Sequence, residues 1–448
     1  MSDRSGMAGE VAELLQALIR NACVNDGAPD SGFEARNAAT IGEYLGEAGE
    51  RFEPHPGRVS LLYRVPGGTP GSPSLMLMGH TDVVPVSPEG WSVDPFAGER
   101  RHGFIWGRGA IDMLDQTAAM AVVFKRVLTG ELRLPGDVAF LAVADEEAGG
   151  RLGARALVED HWPLVASDFL LTEIATPALE GRSGRAIPVT VAEKGPQWRR
   201  LRASGTPGHG SQPYGTRNAV TDLAEAAAHL AATPAPVAIT PEWRRFVETW
   251  DPGDDLMVRL LDPDRVDGLI DEIAVEDPGM ARWIHACTHL TVSPNLFHGG
   301  TKANVVADRA ELDVDVRALP GQDQADVHDH FRKAIGPGFE ELEYQVMEAT
   351  SAGGSMPEGP LWEAITAALG DLAPDSRPVP TMIPVGTDAR FFRPKGTVAY
   401  GVGLFDRRLA FGEFLAMFHG HDERVSEESL GLTAALYRRV LERFGTAV

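Results

Sequence analysis

The feature that most constrains this chain is a junction that recurs along it: a short apolar run stops, and a histidine or an acid follows at once. Ser74–Met78 leads into Gly79-His80-Thr81-Asp82, Val138–Ala144 into Asp145-Glu146-Glu147, and Asp168–Thr172 into Glu173. Short continuous apolar runs read as strands buried on both faces, as in sheets covered by helices. Helical spacing accompanies them. Val11, Leu14, Leu15, Leu18 and Ile19 share a face near the start, Phe33 to Ala48 follows, and Ala118–Val127 is a further helix. This alternation predicts an α/β sheet with helices on both faces. In such sheets ligands gather at the carboxyl ends of strands, so the residues standing there carry the chemistry.

Near residue 187 the texture changes. Val189–Val191 and Arg200–Ala203 read as strands, and a helix presents Val220, Leu223, Ala227 and Leu230 on one face. Residues 234–290 are rich in Pro, Asp and Trp, with short helical pieces. Ala310–Val316 alternates apolar and charged residues, which suits a sheet with one solvated face. Gln324–Ile335 is a predicted helix and Glu341–Met347 a strand. The order predicts a small two-layer α+β domain over 187–350, inserted into a discontinuous α/β domain of residues 1–186 and 351–448. From Leu361 a helix to Leu369, a strand at Thr397–Val402 and a helix from Ser429 to Phe444 resume the larger domain.

Charge excludes some partners. With 41 basic and 64 acidic side chains in 448 residues, the net charge is −23. Nucleic acid and anionic membranes are poor partners for such a chain. Its two cysteines, Cys23 and Cys287, exclude a disulfide framework and a Cys-rich zinc site. They favour a reducing compartment. The opening residues have no basic start followed by an apolar core, and no apolar stretch is long enough to span a bilayer. The expected location is cytoplasmic.

The junction residues form a coherent set. His80 and Asp82, two apart in extended backbone, face one way, so the histidine would ligate a metal and the aspartate accept its other ring N–H. Asp112 follows the glycines of Gly107-Arg108-Gly109; it would bridge two cations, or else cap the apolar helix after it. Asp145, Glu146 and Glu147 would repel one another unless cations were present. Adjacent glutamates could divide roles, one ligating and one free as a base. Glu173 and His419, in Phe418-His419-Gly420-His421-Asp422-Glu423, complete the set. Two imidazoles and three carboxylates, from His80, Asp112, Glu147, Glu173 and His419, suit two divalent cations with a hydroxide between them, the two-metal hydrolase arrangement.

In order along the chain stand GHTDVVPV, GRGAIDM, ADEEAGG, LLTEIA, PGHGSQP, NVVADRAELDVDVR, GTDARFF and HGHDERVS. On these motifs the chain resembles the dinuclear-zinc aminoacylase and carboxypeptidase family, which includes glutamate carboxypeptidase, acetylornithine deacetylase, succinyl-diaminopimelate desuccinylase, aminoacylase and carnosinase. The resemblance covers roughly residues 10–445 and implies a mixed-sheet zinc-hydrolase domain with an inserted lid and dimerisation domain. It also implies two Zn2+ per chain, with Co2+ or Mn2+ able to use the same donors. His80 and Glu173 would hold one metal, Glu147 and His419 the other, with Asp112 between them. Glu146 would be the general base, and Asp82 would orient His80. His209 would reach across a homodimer interface to stabilise the oxyanion, Asn304 and Arg317 would hold the substrate carboxylate, and Thr387 and Asp388 would line or support the site. His421 would be a neighbour, not a ligand.

Relatives often carry a lysine after the bridging aspartate and a proline at the position of Ala307. Here the sequence reads Asp112-Met113-Leu114-Asp115, without the lysine, and 234–290 is long for the family. The implied activity is hydrolysis of an amide next to a free carboxylate in a small peptide or N-acyl amino acid, closest in texture to carboxypeptidase and dipeptidase-like members. The alternatives are a deacylase of N-acyl amino acids or amino-acid derivatives, and an inactive binding homologue.

Overall fold

The computed structural model describes residues 2–46 and 49–446. A ten-stranded mixed sheet forms the body. Its centre places Val138–Val143, Leu75–His80, Phe169–Thr172 and Val398–Gly401 side by side and parallel. Every residue of the first two strands is buried. This is why they read as apolar runs: both faces are covered, and the one polar side chain, His80, stands at a strand end. Helix Leu114–Leu128 packs against Leu75–His80, and the first and last helices, Ser2–Arg20 and Glu427–Phe444, pack together. The second helix is Ala35–Leu45; the expected end at Ala48 lies outside the described residues.

A five-stranded antiparallel sheet makes a second layer system, with Thr291–Gly299, Arg309–Ala318, Arg199–Ser204 and Glu343–Val346 as its main strands. Arg309–Ala318 alternates buried with exposed or half-buried residues, as its sequence alternation required. Helices Ala219–Ala232 and Gln324–Ile335 supply Leu223, Leu230, Val327 and Phe331 to a core of its own.

Two segments of the 187–350 span sit elsewhere than expected. Val189–Val191 belongs to Gly184–Glu193, a strand of the large sheet. Residues 241–288 form four helices whose apolar faces join the core of the large sheet. Trp243 stacks on Phe246 at 5.4 Å, and Trp283 meets both rings. Helix Pro241–Trp250 lies on strand Ser376–Ile383 of that sheet. Tryptophan is costly to leave in water, and these helices bury their aromatic face against the body. No helix among the described residues is long and apolar enough to cross a membrane.

Candidate metal centre

The strand ends converge at one point. His80 closes strand Leu75–His80, Glu146 and Glu147 follow Val138–Val143, and Glu173 follows Phe169–Thr172. Asp112 stands just before helix Leu114–Leu128, and His419 just after helix Phe411–Met417. The imidazole Nε2 of His80 is 3.3 Å from Asp112 Oδ1 and 3.6 Å from Glu173 Oε2. The Nε2 of His419 is 3.2 Å from Asp112 Oδ2 and 3.4 Å from Glu147 Oε2. Thus each oxygen of Asp112 faces a different trio, His80–Asp112–Glu173 or Asp112–Glu147–His419.

These spacings bear on what the trios could hold. Ligands about 2.0–2.1 Å from a tetrahedral zinc lie about 3.3 Å from one another. The four distances cluster at that value, and the donors, imidazole nitrogen and carboxylate oxygen, are those zinc accepts. Glu147 Oε1 is buried with no hydrogen-bond partner among the described residues. The residues therefore fit a pair of divalent cations.

Protonation points the same way. Burial raises Glu147 to about 8, and the Asp112 charge adds to it. Burial likewise raises Glu173 to about 8, with Glu146 nearby. Burial works against charging His419, yet Asp112 and Glu147 lift it to about 11. Burial would raise Asp112 too, but its bonds to His419 and His80 hold it below the usual carboxylate range. Acids pushed up by burial and by one another form a site whose natural counter-charge is a cation.

The ring orientation of His80 has a different origin from the one expected. Its Nδ1 lies 3.0 Å from the backbone carbonyl of Asp82, and 3.6 Å from the Asp82 carboxylate. That carboxylate is engaged by other donors: Asn25 Nδ2 donates to it at 2.8 Å, and the Glu146 and Glu147 N–H groups donate at 3.2 and 3.1 Å. So Asp82 fixes the turn that presents both glutamates, and its backbone fixes the histidine. Asp145, which opens that turn, has φ +70°, and Arg58 Nη2 donates to its carboxylate at 2.7 Å. Arg58 also holds Glu34 with two bonds of 2.7 Å, all within the interior. On the other side Glu423 accepts from Arg108 and from the N–H groups of Ile111 and Asp112, tying the bridging loop to the His419 loop.

The remaining residues divide. Asp388 is buried beside Glu146 and Glu173, and neither of its oxygens has a hydrogen-bond partner among the described residues. Burial and those charges push its carboxyl well up. The Thr387 N–H donates to Glu193, and its hydroxyl accepts from Ala389 N. Arg317 lines the cleft beside the trios, but both of its bonds go to Asp315. His209 and Asn304 are not brought in. His209 is exposed on a two-stranded ribbon, Gly208–His209 with Val305–Val306, and Asn304 is exposed just before its second strand; neither lines the cleft, and His209 Nδ1 is engaged by Ser211. His421 touches neither trio. Spacing did not flag Arg390, whose Nη1 is 3.7 Å from Glu146 Oε1; its place in GTDARFF was the available signal. Asn25, Glu34 and Arg58 lie in no acidic cluster and gave none.

A mixed α/β fold with paired carboxylate–imidazole trios at its strand ends defines the class: a metal-dependent hydrolase of amide bonds in peptides or N-acyl amino acids. The model of peptidase family M20/M25/M40 matches residues 76–443, and the chain belongs to that family. It is 25% identical to aminoacylase-1B of Rattus norvegicus over 419 residues, 92% of this chain and 90% of the relative. It is 34% identical to the succinyl-diaminopimelate desuccinylase of Xylella fastidiosa over 248 residues, 55% of this chain and 59% of the relative. An M20 family metallo-carboxypeptidase from Sulfolobus solfataricus superposes with a TM-score of 0.73 at 16% identity, over 98% of this chain and 99% of that one.

Proposed function

We propose that the chain hydrolyses the amide next to a free carboxylate in a small peptide or N-acyl amino acid, with two zinc ions held by His80, Asp112, Glu147, Glu173 and His419. The observation that carries this reading is the sharing of Asp112, one oxygen toward each trio. Two such cations acidify a water and polarise an amide carbonyl. Cobalt or manganese would fit the same donors. Glu146 stands beside the ligands without belonging to either trio, which leaves its carboxylate free to take a proton from water and pass it to the leaving nitrogen. Arg390 keeps a positive charge near it. Arg317 would hold the substrate carboxylate by exchanging its Asp315 partner for the substrate, and Asn304, exposed outside this chain's own cleft, would join it only from a second copy's ribbon. Thr387 and Asp388 would support the wall.

Deacylation of N-acyl amino acids is the second reading. It is favoured by the aminoacylase likeness, which extends over most of both chains. We place the enzyme in the cytoplasm, as a homodimer joined through the second sheet. The exposed edge strand Thr291–Gly299, with Leu296 and Phe297 in solvent, supports that contact surface. The test is metal analysis of purified protein alongside a mass-spectrometric screen of peptides and N-acyl amino acids. Two equivalents of metal and release of an amino acid are expected; less than one equivalent with no turnover on the panel sinks the reading and favours an inactive binding homologue.

A further inference from the structure

The cleft that contains the trios extends well past them, to about 570 Å³, far more room than a glycine-sized group requires. Its far wall is built by the helical segment whose purpose the sequence left open. Helix Pro278–Thr288 contributes Trp283 and Ala286, and helix Phe411–Met417, which leads straight to His419, contributes Leu415. Ile383 and Val385 come from the end of strand Ser376–Ile383 and the turn after it. The two helices meet through glycine: a Cβ at Gly279 would be driven into the Gly412 carbonyl oxygen, and one at Gly412 into the Asp277 carboxylate. Trp283 is held rigid by Phe246 at 5.1 Å and Phe411 at 5.3 Å. This is a fixed apolar wall beside a polar centre. Above it the exposed Arg282, on the same helix as Trp283, brings positive charge to the rim of a chain that is otherwise strongly acidic.

Resting on the amide-hydrolase reading, we propose that helices Pro278–Thr288 and Phe411–Met417 form a subsite for a bulky apolar group flanking the scissile amide. The substrates are then carboxylate-bearing amides with an aromatic or long aliphatic side chain or acyl group. Small and polar ones are disfavoured by the loss of wall contact, and burying an apolar group against the wall gives about tenfold to hundredfold discrimination.

The experiment compares N-acetylphenylalanine and N-benzoylglycine with N-acetylglycine, in wild type and in Ala286→Phe, which fills the subsite, and Val385→Asp, which charges it at an exposed position. Turnover is measured on metal-loaded wild type and both variants, and equilibrium binding on metal-loaded Glu146→Gln with and without each substitution. Circular dichroism verifies folding. Expected is at least a tenfold preference for one bulky probe over N-acetylglycine in both kcat/KM and Kd, falling to threefold or less in either variant. Equal handling of all three probes by wild type, or an equal loss on all three in folded variants, overturns the subsite even if amides are hydrolysed. Discriminating binding without hydrolysis of any amide by wild type would keep the subsite and overturn the reaction instead.

Discussion

Glu146 and Glu147 are neighbours in sequence with separate tasks, and a substitution can part them. Glu146→Gln keeps shape and hydrogen bonding but cannot take a proton. Turnover is expected to fall by about 10²–10⁴-fold, with the metal content of the purified protein unchanged. Loss of a metal equivalent would show instead that Glu146 is a ligand. The buried Arg58 bears on stability in the same way. Arg58→Met leaves Glu34 and Asp145 as uncompensated interior acids. Breaking such a pair costs about 3–5 kcal/mol, read as the shift in a urea unfolding midpoint, and adding Glu34→Gln should recover part of it. A loss below about 1 kcal/mol would mean that water reaches the pair. His80, Glu147 and Glu173 were legible in sequence because each stands just past an apolar run, so position and chemistry spoke together, whereas Asp112 follows a glycine-rich loop and His419 stands among polar loop residues. Their supports were not. Arg58, Glu34 and Asn25 are ordinary polar residues until the fold removes them from water.

Elements were legible where burial leaves a simple pattern. The central strands and the helix Gln324–Ile335 stand where spacing put them, since continuous or periodic apolar residues have one physical reading. Strand Glu50–His55 has no buried residue and pairs at the sheet edge, so its sequence carries no alternation to read. The helices of 241–288 were visible as helices, but their partner was not, because an aromatic stripe does not say which core it enters. Where the chain leaves the large sheet, Lys194 is fully buried and donates to the Ala286 and His289 carbonyls and the Thr291 hydroxyl at 2.7–3.1 Å. Burial lowers it to about 7. Unfolded, it titrates near the usual lysine value, so between pH 7 and about 10 the unfolded chain binds a proton that the folded one lacks, and stability rises with pH. Below pH 7 both forms are charged and the burial cost is fully present. Relative to Lys194→Met, wild-type protein should therefore gain up to about 1.4 kcal/mol per pH unit from pH 7 to 9 in urea titrations. Parallel curves for the two proteins would show that the three acceptors keep the ammonium charged throughout.

At the scale of the whole molecule, one expectation remains physically separated from the site. His209 is exposed on the Gly208–His209 ribbon, outside the cleft that holds the trios, so in this arrangement of the chain it does not reach the reacting amide. A two-fold dimer would supply a route, because a surface patch that meets its own copy delivers each ribbon to the other subunit's cleft. The consequence is quantitative. His209→Ala and Glu146→Gln homodimers should each be nearly inactive, with metal content intact. Mixed in equal amounts and allowed to exchange subunits, about half the dimers become hybrids. In a hybrid, one cleft pairs an intact Glu146 with an intact His209 and the other has neither. About a quarter of wild-type activity should return, while Glu146→Gln mixed with itself stays inactive. Exchange is verified by native mass spectrometry of differently tagged chains. If hybrids form and activity does not return, His209 acts within its own chain after a movement of the second sheet, or not at all. In that case a wild-type level of turnover by His209→Ala alone separates the two.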